Sequence, residues 1–223
     1  MANCLSAVFL ILSGLIMARP LYAVTLSGQV HSDGKPLPDV VVTLKPLSHD
    51  PRLSATAGKP VSWRLDQKGK EFIPHILVIP PGTAVYFPNS DDIQHHVYSF
   101  SKAKRFEIKL YKGTPAEPIV FDQPGLVALG CNIHDWMLGY ILITETPYFT
   151  QTNAEGHWSI DVPAGDYQVS LWHPDALAPD TLPNEIKQIQ TAQTLRHSID
   201  LKAWRASGKP PDTLQMQGYI ERF

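Results

Sequence analysis

Twenty prolines run through this chain from Pro20 to Pro211, and they limit its fold more than any other feature. Proline removes a helix hydrogen bond and clashes with the preceding turn, so closely spaced prolines break long helices. Between them lie short β-branched or alternating runs. "VVVTL" (Val40 to Leu44) is strongly β-forming, and "HWSIDV" and "DYQVSLW" alternate apolar with polar around the turn "PAG". Val24 to Leu44 reads as two strands around a turn at Asp33 and Gly34, and residues 45–70, mixed and polar, read as a connection. Residues 71–145 read as many short strands between Pro and Gly turns. There is no long helical periodicity, internal repeat or low-complexity tract. The expected class is all-β, built as sandwiches.

A length of 223 residues with 43% hydrophobic content allows one large domain or two small ones, each with a buried core. Charged residues make up 18% and the net charge is −2, which argues against a nucleic-acid binder, since that needs a basic face.

The apolar run Leu5 to Met17, followed by "ARPLYA" ending at Ala23, fits an export signal over residues 1–23, although "MANC" supplies no basic residue. The alternative is a membrane anchor, for which the run is short against the ~20 apolar residues of a span. No other stretch is apolar enough to span a membrane. Cys4 leaves with the signal, so the mature chain keeps Cys131 alone. An odd cysteine in an oxidising compartment implies an intermolecular bridge, a reactive thiol or a metal ligand.

"GCNIHDWM" decides among these. It places the thiol of Cys131, the imidazole of His134 and the thioether of Met137 within seven residues. Soft sulfur ligands select copper, whereas zinc rarely uses a thioether. A blue copper centre needs a second histidine, and "DDIQHHVYSF" offers His95 or His96. On a strand, His95 shares a face with the apolar Val97 while His96 takes the other. That favours His95 and leaves His96 as the alternative.

Around these residues the chain resembles the cupredoxin family, with a loop like that of its amicyanin group. "FIPHILVIPPGTAVYFPNSD" (Phe72 to Asp91) is similar to the family's strand, Gly turn, second strand and Asn-x-Asp end. A histidine then precedes Val97. "FDQPGLVALGC" is similar to the strands leading to the copper thiolate, "CNIHDWM" has the Cys-x-x-His-x-x-Met spacing, and "LGYILI" resembles the closing strand. The resemblance implies a Greek-key cupredoxin sandwich over residues 67–146, holding one type 1 copper ion at His95, Cys131, His134 and Met137. It further implies one-electron transfer in the periplasm or after secretion, with redox donor and acceptor proteins docking near His134. A link to amine (methylamine) oxidation follows from the amicyanin-like loop. Two departures stand out. His96 occupies the position of the family's Asn, and Asp135 and Trp136 stand where the amicyanin loop has Pro and Phe.

A second resemblance flanks the first. "SGQVHSDGKPLPDVVVTLKP" (Ser27 to Pro46) and "TNAEGHWSIDVPAGDYQVSLWHP" (Thr152 to Pro174) are similar to the two halves of a carboxypeptidase regulatory-like, or transthyretin-like, domain. This implies a discontinuous β-sandwich over residues 24–66 and 147–205, with the copper domain inserted and a tail at 206–223. In the alternative, residues 24–66 supply the cupredoxin's own first strands.

A ligand set of Cys, two His and Met leaves no open position for a substrate, and no Ser-His-Asp arrangement, paired-carboxylate motif or phosphate loop stands out. The expectation is therefore an electron-transfer protein rather than an enzyme. The alternative is a copper-binding or carrier protein, or a β-sandwich ligand-binding or structural protein in which copper is structural.

Overall fold

The computed structural model describes residues 23–48, 62–179 and 182–202. The expected signal, apart from Ala23, and the expected tail lie outside the described residues. Within them the protein is all-β and contains no α-helix, and no helix is long and apolar enough to cross a membrane. The first strands are β1 (Ala23–Ser32), β2 (Lys35–Pro36), β3 (Val41–Pro46), β4 (Ser62–Arg64), β5 (Asp66–Lys68), β6 (Glu71–Ile73), β7 (Ile76–Ile79), β8 (Thr83–Tyr86) and β9 (His95–Ser99). They are followed by β10 (Phe106–Tyr111), β11 (Ile119–Phe121), β12 (Gly125–Cys131), β13 (Leu138–Ile143), β14 (Phe149–Gln151), β15 (His157–Pro163), β16 (Gly165–Trp172), β17 (Asn184–Ile189) and β18 (Gln193–Ser198).

The strands gather around two cores. One sheet runs β15-β1-β18 with β2 on β1, and a second runs β14-β3-β16-β17. Leu26 and Val30 of β1 and Trp158 of β15 meet Val42 and Leu44 of β3 and Tyr167 and Val169 of β16 between them. β1 shows the period-2 pattern of a strand with one covered face: Leu26, Gly28, Val30 and Ser32 are buried and their neighbours are not. Gly28 is required there, because a Cβ would sit 2.6 Å from the Trp158 ring.

The other core lies within residues 65–143. It is enclosed by the sheet β10-β9-β12-β13-β7, the sheet β11-β8-β4 and the hairpin β5-β6. Phe72, Phe87, Phe121, Leu129 and Ile141 fill it, together with Cys131 and Met137.

β7 and β13 belong to both surroundings. They pair in parallel, with Ile76 opposite Tyr140 and Leu77 opposite Ile141. All four residues of β7 are buried. Leu77 and Ile79 face the second core. Ile76 and Val78 instead meet Val41, Phe149 and Trp172 of the first group. A strand covered on both faces reads as a continuous apolar run rather than an alternating one, and "ILVI" is such a run.

Two sequence readings change. The strands either side of Asp33 and Gly34 fall in different sheets: β1 turns back onto the two-residue β2, and β3 pairs with β14 and β16. Residues 45–70 are more than a connection, because β4 pairs with β8 and β5 with β6. Ser62, Trp63 and Arg64 are all exposed, so β4 leaves no apolar periodicity to read.

A chain of rings bridges the two groups. His75 meets Tyr140 edge-on at 5.5 Å between centroids, and Tyr140 meets Trp172 at 5.6 Å. Burial pushes the His75 imidazole below its ordinary value, against weaker attraction from Asp39, the Leu138 carbonyl, Asp175 and Glu71. The folded chain therefore prefers neutral His75, while the unfolded chain takes up the proton as pH falls below 6.5. The stability from this group is complete above that pH and is lost as pH falls towards the lower folded value. His75→Gln should flatten the dependence of the urea midpoint on pH between about pH 8 and 5. An unaltered slope would contradict this account of His75.

Candidate metal centre

The second core is closed at one end by side chains from β9, β12 and the loop before β13. β12 pairs with β9 through Gly130–Tyr98 and Cys131–Val97. Val97 and His95 stand two residues apart on the same face of β9, and both are fully buried. The register thus carries Cys131, the last residue of β12, to the side of the sheet where His95 points inward. Cys131 Sγ lies 3.7 Å from His95 Nδ1.

The loop then folds back. The Met137 N–H donates to the His134 carbonyl at 3.0 Å, closing a four-residue turn through Asp135 and Trp136. His134 Nδ1 reaches to 3.9 Å from Cys131 Sγ. The donor atoms of His95, Cys131 and His134 all lie within 4.8 Å of one another, and all three residues are buried. The two imidazole rings are 5.1 Å apart between centroids, and the Trp136 ring also lies 5.1 Å from the His134 ring. Met137 is fully buried in the same core, at the end of the turn.

Burial pushes the His134 imidazole below its ordinary value, helped by His95 and Lys70, with Asp91 pulling the other way. A neutral imidazole keeps a lone pair available to a cation. His96 stands on the opposite face of β9. Its Nε2 is 3.0 Å from Glu107 Oε1, and its ring meets Tyr98 edge-on. Of the sequence candidates, the structure brings His95, Cys131 and His134 together and turns His96 away from them.

The chain before β9 holds the cluster from outside. Asp91 Oδ2 lies 2.8 Å from His95 Nε2. The same carboxylate accepts the backbone N–H of Gly69 at 2.6 Å and of Lys70 at 2.9 Å. Burial opposes charge on Asp91, but the hydrogen bonds from His95, Lys70 and Gly69 outweigh it and hold the carboxyl below its ordinary value. Asn89 ties this segment to β10. Its side-chain amide donates to the carbonyls of Ile93 at 2.8 Å and Tyr111 at 2.9 Å, and its Oδ1 accepts the Asp91 N–H at 3.0 Å. Beneath it, the Tyr111 hydroxyl donates to the Phe87 carbonyl at 2.7 Å and accepts from Gln67 Nε2. In the sequence, Asn89 and Asp91 read only as the end of a strand pattern. The available signal was the run of short polar turn residues four to six positions before a buried histidine.

No protein-family model matches the chain, and no curated protein matches it. Solved structures similar to part of it include a copper-containing nitrite reductase from Thermus scotoductus, at 24% identity and a TM-score of 0.37 over 46% of this chain. The chain spans 26% of that reductase's length. A purple cupredoxin from Nitrosopumilus maritimus is similar over 38% of this chain and 100% of its own, at 21% identity and a TM-score of 0.33. Amicyanin from Paracoccus versutus is similar over 46% and 97% respectively, at 17% identity and a TM-score of 0.32.

Asn89→Ala should destabilise the protein by about 1–3 kcal/mol, because it removes the buried Asn89 side chain's hydrogen bonds to the Ile93 and Tyr111 carbonyls and to the Asp91 N–H. Urea unfolding measures this directly. The freed segment should also expose Cys131, so its reaction with a thiol reagent in the metal-free protein should quicken. Unchanged stability together with unchanged reactivity would contradict the role given to Asn89.

Proposed function

We propose that the protein binds one copper ion through His95, Cys131, His134 and Met137 and works as a one-electron carrier. The observation that carries this reading is the buried convergence of one sulfur and two imidazole nitrogens within 4.8 Å. The donor set fits the ion: a thiolate with two imidazoles is a copper set, and the second sulfur, on Met137, is buried at the end of the same loop. Copper supplies the one-electron couple when bound.

The chain's own residues do the rest. The pairing of β9 with β12 sets His95 against Cys131, and the closed turn sets His134. Because these parts belong to a packed core, the donors keep one arrangement in both oxidation states, which limits the rearrangement that accompanies electron movement. His95 and Met137 are 0% exposed and Cys131 3%, while His134 is 8% exposed and so lies nearest solvent. Its neighbour Ile133 is exposed. Redox donor and acceptor proteins would dock there, through a small transient contact.

The proposal extends to the setting of the site. Within the expected bounds of 24–66 and 147–205, β1–β3 and β14–β18 form a discontinuous sandwich in which the copper sandwich is inserted, and the protein works in the periplasm or outside the cell. The amicyanin-like spacing of Cys131, His134 and Met137 supports a place in amine oxidation.

Copper-loaded protein should show an intense visible absorption from the thiolate and should cycle reversibly between oxidation states. Cys131→Ser and His95→Ala should each abolish the colour, and His96→Ala should leave it. A colourless, redox-silent protein would sink the proposal. Loss of colour in His96→Ala with colour kept in His95→Ala would overturn the ligand assignment.

A further inference from the structure

The hairpin of β5 and β6 lies outside the metal cluster yet reaches it through one side chain. Its two turn residues, Gly69 and Lys70, both have positive φ, at 66° and 62°. That geometry makes a tight two-residue turn. Both turn N–H groups donate to one carboxylate, that of Asp91. Successive N–H groups aimed at one point form an anion-binding concavity and favour the charged form of what they hold. Asp91 is fixed from its backbone as well, through the bond from its N–H to Asn89 Oδ1. Its neighbour Ser90 is engaged elsewhere, donating to Asp66 Oδ2 at 2.8 Å.

A carboxylate can only accept, so the 2.8 Å contact with His95 Nε2 requires the proton to sit on that nitrogen. A neutral imidazole carries one N–H. Its other nitrogen, Nδ1, then bears the lone pair, and Nδ1 is the atom that faces Cys131 Sγ at 3.7 Å.

We propose that Asp91 is a positioning residue for the metal centre: gripped by the Gly69–Lys70 turn, it accepts the hydrogen bond from His95 Nε2–H, fixes Nδ1 as the donor nitrogen, and favours the oxidised ion. The last clause rests on the copper reading above. An imidazole backed by a carboxylate is the stronger donor, and a stronger donor gains more from the more highly charged metal. The structure connects the hairpin turn to the electronic character of a ligand that it does not touch.

Two measurements test this. In metal-free wild-type protein, ¹H–¹⁵N spectra of the imidazoles should show His95 as the Nε2–H tautomer, with that proton exchanging slowly. A Nδ1–H tautomer, or an averaged signal, overturns the proposal and needs neither copper nor a variant. In Asp91→Asn, competition with chelators should show Cu(II) bound about tenfold more weakly, Cu(I) affected less, and the visible band retained. Equal weakening of both oxidation states would mean a merely structural role for Asp91, and no weakening would mean no role; either result overturns the claim on the oxidised ion. If wild-type protein takes up no copper, the copper reading fails and that claim falls with it, while the tautomer still decides what Asp91 does to His95.

Discussion

The candidate centre depends on one strand register, the pairing of Cys131 with Val97 where β12 meets β9. A side chain's face alternates along a strand, so a one-residue slip of β12 would turn the thiol away from His95, and a one-residue slip of β9 would bring His96 inward in its place. The register is held by burial. Val97, Val127 and Leu129 are all packed in the second core, and shifting either strand would expose them. At roughly 1.5–3 kcal/mol for each large apolar side chain, the core enforces the site's geometry far more strongly than any single contact within the site.

Locality along the chain separates what could be read in it from what could not. The grouping of Cys131, His134 and Met137 was legible because their spacing is local: one turn, closed by the Met137 N–H on the His134 carbonyl, accounts for it. The inward face of His95 was legible through Val97, because alternation needs only neighbours two residues apart. Asp91 was not legible as a partner of His95. Its part depends on a hairpin turn more than twenty residues earlier in the chain, at Gly69 and Lys70, and a single sequence does not show which turn folds over which carboxylate. β4 escaped notice for a different reason, since its exposed residues carry no pattern.

β7 and β13 make the protein more than one sandwich with extra strands. One face of this pair lines the core that contains Cys131 and Met137, and the other meets Val41, Phe149 and Trp172. β13 begins immediately after Met137. The strand that follows the Cys131–Met137 loop is therefore also the strand against which the other sheets pack, and no loose linker separates the two surroundings there.

The most direct test of the central claim is X-ray absorption at the copper edge of the loaded protein. The account predicts one short copper–sulfur bond and two imidazole nitrogens, with the sulfur lost in Cys131→Ser. A shell of nitrogen and oxygen alone, unaltered by that substitution, would contradict it.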